Sequence, residues 1–239
     1  MVTMDSGSIA ARAEYSGFLK DGARAAWPIC LGYIPIGLAF GVLAQKAGLS
    51  PFQIGLMSLL VFAGSSQFIA VSMLDAGAAI IPIVLTTFMV NLRHVLMSSS
   101  LSVFLRRSGW KFLSLYAYGV TDESFAVNTS LFRAGGWHPY KALVLNHAAN
   151  AVWIGSTVTG GVAGQLIPEG SFGIDYALSA MFICLLIFQL RGRIYAVTGL
   201  IAGGAAVCLS VLIPGNAYVV LASLFAATAG FVLQRRARK

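Results

Sequence analysis

The side chains with chemistry to offer are polar and ionisable groups embedded in apolar sequence, and they fall in four clusters. Gly64-Ser65-Ser66-Gln67 is the first. Small residues let helices approach closely. They also permit a helix break whose freed backbone groups and end dipoles face a ligand. Gln67 fits either scheme, as an interhelical bond or as a site amide. Asn91-Leu92-Arg93-His94 is the second cluster. Asn91 and His94 share a helix face, while Arg93 turns about 100° away from His94. A buried guanidinium is a fixed cation shaped for a carboxylate. The alternatives are a structural ion pair or a side chain snorkelling to the interface. In the third cluster, Thr121-Asp122-Glu123, adjacent acids point to different sides of a regular helix. One is placed to pair with Arg93 and the other to face a cavity as a proton carrier, unless both are structural. The fourth comprises Asn146, His147 and Asn150, with Trp153 continuing the stripe. It either lines an aqueous path or stitches two helices together. Gln189 stands alone and reads as structural.

The substrate-binding candidates are therefore Gly64, Ser65, Ser66, Gln67, Asn91, Arg93, Asp122, Glu123, Asn146 and Asn150. The proton-coupling candidates are His94, Asp122 and Glu123.

These residue types do not assemble a familiar catalytic motif. Ser65 or Ser66 with His94 or His147 would supply a nucleophile and a base, but no GxSxG turn accompanies them. HExxH and Walker A are missing, and His94, His138 and His147 lack metal-ligand spacing. No catalytic residue, metal or cofactor is expected. Cys30, Cys184 and Cys208 sit in apolar segments without CxxC spacing and read as small buried hydrophobes. No nucleic-acid motif accompanies the net charge of +8.

What must position these groups is a membrane. Of 239 residues, 58% are hydrophobic and 10% charged, and mean hydropathy is +0.81. A soluble domain carries roughly 25% charged residues; this chain cannot cover itself in water. Apolar runs fall at about 25–44, 54–74, 78–104, 112–132, 142–163, 174–190, 194–213 and 217–234. Backbone groups in lipid must be satisfied within the segment, which makes these runs helices. The expected fold is all-α: a polytopic bundle of about seven to eight spans, with room for broken or re-entrant helices. Residues 1–24 form a cytoplasmic N-terminal segment without a signal-peptide core, in which Ile9–Ala26 reads as an amphipathic surface helix or a frayed tail. Residues 25–234 form a single transmembrane transport domain, and 235–239 a basic cytoplasmic tail.

Ala47-Gly48-Leu49-Ser50-Pro51-Phe52 is similar to Gly135-Gly136-Trp137-His138-Pro139-Tyr140. That suggests a 3+3 inverted repeat, 25–107 and 108–193, followed by two C-terminal helices. With eight spans and a cytoplasmic N-terminus, Lys and Arg fall mostly inside, as the positive-inside rule expects. Lys46, Arg106, Arg107 and Lys111 fall outside. The loop at 106–111 breaks the rule and is repaired if a preceding segment is re-entrant.

Five stretches resemble the AzlC family of branched-chain amino-acid permeases: Gly32-Tyr33-Ile34-Pro35-Ile36-Gly37-Leu38-Ala39-Phe40-Gly41, Phe62-Ala63-Gly64-Ser65-Ser66-Gln67-Phe68, Asn91-Leu92-Arg93-His94, Thr121-Asp122-Glu123-Ser124-Phe125-Ala126 and Gly173-Ile174-Asp175-Tyr176-Ala177-Leu178-Ser179-Ala180-Met181-Phe182. They come in family order over about 30–190. Where the family continues Leu-Tyr-Gly after Asn-Leu-Arg-His, this chain has Val95-Leu96-Met97-Ser98. The resemblance implies the large subunit of a two-part exporter in a bacterial inner membrane. Its implied partner is a small AzlD-like subunit, and its implied substrates are valine, leucine, isoleucine and methionine.

Joined to the clusters, it suggests alternating access at a midplane site. The substrate carboxylate would meet Arg93 or the break at Gly64. The ammonium would meet Asp122 or Glu123, and the side chain Phe62, Phe68 or Phe125. The rival readings are transport of another small solute and a non-transporting membrane protein such as an intramembrane protease.

Overall fold

The structure is a computed structural model that describes residues 6–166, 192–212 and 217–237, with isolated positions between them and side chains from Tyr15 onward. Every regular element among the described residues is helical. In chain order they are α1 (Ser6–Lys46), α2 (Pro51–Leu60), α3 (Gly64–Asp75), α4 (Ile80–Leu101), a short 3-10 turn (Ser102–Phe104), α5 (Trp110–Tyr118), α6 (Asp122–Ala134), α7 (Pro139–Gly164), α8 (Arg193–Leu212) and α9 (Ala217–Ala237). The all-helical membrane bundle is thus the observed fold class. Most of 173–182 and of the run at 174–190, with Cys184, Gln189, Arg191 and the turns at 168–170 and 214–216, lies outside the described residues.

Stretches Tyr15–Lys46, Ile80–Phe104 and Arg193–Leu212 are long and apolar enough to cross a membrane. No break separates the Ile9–Ala26 stretch from the run at 25–44: α1 is one 41-residue helix that includes Pro28 and Pro35. The apolar runs at 54–74 and 112–132, by contrast, are each two helices. A bilayer crossing needs about 20 residues, and α2, α3, α5 and α6 have 10, 12, 9 and 13. Capping chemistry fixes where the pieces begin. Ser50 and Gln53 close a capping box ahead of Pro51, and Thr121 and Ser124 close another ahead of Asp122. Each satisfies amides that a helix start leaves bare.

The chain forms two compact units, Met1–Gln67 with Asn91–Ile174, and Phe68–Val90 with Asp175–Lys239. In the first, α1 and α7 run parallel along a seam of small residues. Gly22 faces Val144, Gly37 faces Ser156, Gly41 faces Thr157 and Gly161, and Gly164 faces Gln45. A Cβ on Gly41 would stand 2.1 Å from the Thr157 carbonyl oxygen. Only glycine permits this approach, the small-residue packing of membrane helices.

Heights along α7 locate the rest of this unit. α2 starts beside Gly161, against which Pro51 and Ile54 pack, and descends to Ser58, bonded to Thr157 at 2.9 Å. α3 then begins against Trp153. The last part of α4 runs from Arg93, bonded to Ser65, to Leu101, buried with Leu105 and Ala142 near the start of α7. α5 climbs: Phe112 meets the Tyr140 ring, the Tyr116 carbonyl meets Asn146, and Tyr118 reaches Asn150. α6 descends: Thr121 is level with Tyr33, Asn128 with Asn146, and Phe132 packs near Ala142. Residues 110–134 therefore form a re-entrant hairpin that enters and leaves by the same end.

This geometry relocates the loop at 106–111. Arg106, Arg107 and Lys111, which an eight-span count puts outside, share the end where α7 starts with Lys20, Arg24, Arg133 and Lys141. At the other end of this unit, Lys46 is the basic residue among those described.

In the second unit α8 packs on α9, with Gly230 closing onto Thr198. Basic Arg235 and Arg236 occupy the last turn of α9.

Candidate functional site

The two helix breaks meet halfway along α7. The Tyr118 hydroxyl, at the end of α5, donates to the Leu59 carbonyl at the end of α2. Beyond each break a helix starts, α3 at Gly64 and α6 at Asp122. Helix starts carry partial positive charge, so this level holds two of them, one already faced by acids.

Arg93 bridges the two. Its guanidinium lies 2.9 Å from Asp122 Oδ2 and donates to the Ser65 hydroxyl. The neighbouring acid turns elsewhere. The Tyr33 hydroxyl donates to Glu123 Oε2 at 2.7 Å and stands 2.8 Å from the Thr121 hydroxyl. Tyr33 is buried against Trp153 and Phe62. The Arg93 and Asp122 side chains are 30% and 35% exposed, so the pair is only partly buried.

Several other candidates are tied into the scaffold. Gln67 is fully buried; its amide donates to Ser58 at 3.2 Å and accepts from the Trp153 indole at 2.8 Å. Ser66 donates to the Ala63 carbonyl, inside its own first turn. Asn146 accepts from Asn128 at 2.9 Å and donates to the Tyr116 carbonyl at 3.2 Å, pinning the 110–134 hairpin to α7. Gly64 lets the chain pass the Trp153 ring, which a Cβ there would approach to 3.2 Å.

A third group carries polar atoms with no hydrogen-bond partner among the described residues: Asn91 Oδ1, Arg93 Nε and His94 Nε2 on α4, and His147 Nε2 and Asn150 Nδ2 on α7. Buried groups of this kind are costly unless something bonds them. They are the natural contacts for water or a polar solute at this level.

Sequence reasoning named Thr121 with its cluster but missed Tyr33, Ser58, Tyr118 and Asn128. Tyr33 and Tyr118 read as apolar bulk in a hydropathy scan, although a buried tyrosine needs a partner for its hydroxyl. That need was the available signal.

Chemically, the cluster offers one cation and two carboxylates beside the start of α3. Such a set has the charges to meet both a cation and an anion on a small solute. Ser65 bonds to Arg93 and Ser66 to a backbone carbonyl, and neither is paired with a histidine base.

Short helices paired at a break, a polar centre and apolar spans together define a polytopic helical membrane protein. The chain belongs to the AzlC family: residues 28–167 match the family described as AzlC protein. It is 31% identical over 204 residues to the "Branched-chain amino acid transport protein AzlC" of Bacillus subtilis, covering 82% of this chain and 78% of that one. It is 30% identical to the "Inner membrane protein YgaZ" of Escherichia coli, over 82% of this chain and 84% of the relative. An uncharacterized membrane protein of Archaeoglobus fulgidus is 33% identical, with 80% and 83% covered. No solved structure matches.

Proposed function

We propose that this chain is the large subunit of a permease that exports branched-chain amino acids, with methionine as a further substrate, through a bacterial inner membrane. A small AzlD-like membrane subunit completes it, and the chain itself is not an enzyme. The observation that carries this reading is the Arg93–Asp122–Ser65 cluster at the meeting point of two half-helices. The name of the Bacillus subtilis relative supports the substrate class.

In this reading Arg93 and Asp122 neutralise one another while the site is empty, and the Tyr33 hydroxyl holds Glu123. An entering zwitterion exchanges that internal pair for two external ones. Its carboxylate takes Arg93 and the α3 amides, and its ammonium takes Asp122 and Glu123. No charge is left bare in the membrane at any step, where each would cost several kcal/mol. His94 or one acid carries a coupling proton. Phe62 or Phe125 lines the side-chain end. Both termini face the cytoplasm.

The test is efflux of preloaded radiolabelled valine from cells making this chain with and without its small partner. Faster efflux only with both supports the reading. Unchanged efflux, with both proteins present in the membrane, sinks the substrate assignment. Competition by unrelated solutes but not by leucine or isoleucine would point to a different cargo.

A further inference from the structure

At the end of the first unit where α7 begins, a cavity of about 410 Å³ opens between the 103–108 segment and the start of α7. Arg106, Arg107, Ser108, His138 and Pro139 line it, with Phe104 along one wall. Lys141 is bonded to Asp21 at 2.7 Å, and Lys111 sits over the Trp110 ring at 5.8 Å. Arg106 and Arg107 have no ion pair among the described residues, and both are exposed.

The acids whose side chains are described in this unit are engaged elsewhere. Asp21 holds Lys141, Asp122 holds Arg93 and Glu123 accepts from Tyr33. Two guanidiniums side by side on a cavity wall, unpaired among the described residues, suit an external anion.

The other walls narrow the kind of anion. His138 Nδ1 accepts from the Tyr140 amide, which leaves its Nε2 as the atom free to donate. The imidazole is held flat on the Phe18 ring, centroids 4.5 Å apart and 3° from parallel. Its donor direction is therefore fixed. α5 begins two residues past Ser108 and no side chain caps it, adding partial positive charge nearby. The cavity is larger than a lone ion requires. Exposed Trp110 and Tyr140 mark this as the level of lipid headgroups, where amphipathic rings collect.

We propose that this cleft is a phosphate-binding site that holds the phosphodiester of an anionic phospholipid. Arg106 and Arg107 take the phosphate oxygens, Ser108 and His138 Nε2 donate to the remaining acceptors, and the aromatic rings receive the glycerol backbone. Basic pockets between membrane helices recognise headgroups in this way. The site is independent of the transport reading, because none of its residues touches the Arg93 cluster.

Native mass spectrometry of the full chain, purified in detergent and titrated with phosphatidylglycerol or phosphatidylcholine, tests it. The expected result is saturable retention of one phosphatidylglycerol and none of phosphatidylcholine. Arg106→Gln with Arg107→Gln should weaken retention about 30-fold, the effect of two basic residues at a charged lipid surface. Arg106→Lys with Arg107→Lys should restore part of it, and Lys46→Gln, at the other end, should change nothing. Inorganic phosphate is the second arm. Displacement of the lipid only at high millimolar phosphate supports a lipid source. Tight phosphate binding without lipid retention overturns the lipid assignment and leaves a soluble phosphate as occupant. Equal retention of both lipids, or full retention by the Gln pair, overturns the site.

Discussion

Arg93, Asp122 and Glu123 sum to one negative charge, and each is neutralised or bonded by a different neighbour. That arrangement can serve a substrate or simply hold helices together, and a pair of variants distinguishes the two. Arg93→Gln leaves Asp122 uncompensated; Asp122→Asn leaves Arg93 so. Each should lower thermal stability in detergent by roughly 1–3 kcal/mol, below the 3–5 of a fully buried pair because a third of each side chain is open. The double variant removes both charges and should recover most of that stability. Its valine efflux should stay at background, since the substrate has then lost both ionic contacts. A double variant that recovered efflux along with stability would make the pair structural. Tyr33→Phe tests the second acid: it removes the hydroxyl that Glu123 accepts from and should slow efflux severalfold while the protein still folds.

The clusters themselves were visible in the sequence, because an ion or amide inside an apolar run stands out without any alignment. What could not be read was the division of labour. Gln67 and Asn146 bond to Trp153 and Asn128, residues 86 and 18 positions away along the chain, and such pairings exist only once helices are placed.

At the scale of elements, a hydropathy window hides the most consequential feature. It averages across 112–132 and reports one span, because the tip at Gly119-Val120-Thr121 is too short to register. The capping box is the local signal. Thr121 with Ser124, and acids in the first turn, mark a helix start inside the run. The same reading applies, more faintly, at Gly64. The pieces then repeat: α2, α3 and α4 have 10, 12 and 22 residues, and α5, α6 and α7 have 9, 13 and 26. Two short helices and a long one recur in each set.

Glycine has opposite meanings on the two sides of α1. Gly41→Ala would drive a methyl into the Thr157 carbonyl and should destabilise the α1–α7 seam by about 1–3 kcal/mol or more. Gly32→Ala, with nothing within 4 Å of the new atom, should be neutral or stabilising by up to about 1 kcal/mol through helix propensity. Thermal unfolding of the two variants in detergent should therefore move in opposite directions. Equal losses would mean that the seam is not where the stability lies.

For the molecule as a whole, the hairpin decides which end of the first unit faces the cytoplasm. If 110–134 crossed the membrane, Arg107 and Arg133 would lie on opposite sides, and basic residues would be split between them. As a re-entrant hairpin, it gathers Lys20, Arg24, Arg106, Arg107, Lys111, Arg133 and Lys141 at one end and leaves Lys46 at the other. Short loops rich in Lys and Arg stay on the cytoplasmic side during insertion, which predicts that the gathered end is the inner one. Single cysteines at positions 107, 135 and 48, in a background without Cys30, Cys184 and Cys208, test this with a membrane-impermeant thiol reagent applied to whole cells. Position 48 should react from outside. Positions 107 and 135 should react only after the membrane is opened, and both should behave alike. Opposite labelling of 107 and 135 would require the run to cross. It would also separate Thr121 from Tyr33 and dismantle the site at its centre, because the hairpin tip reaches Arg93 only by turning back at that depth.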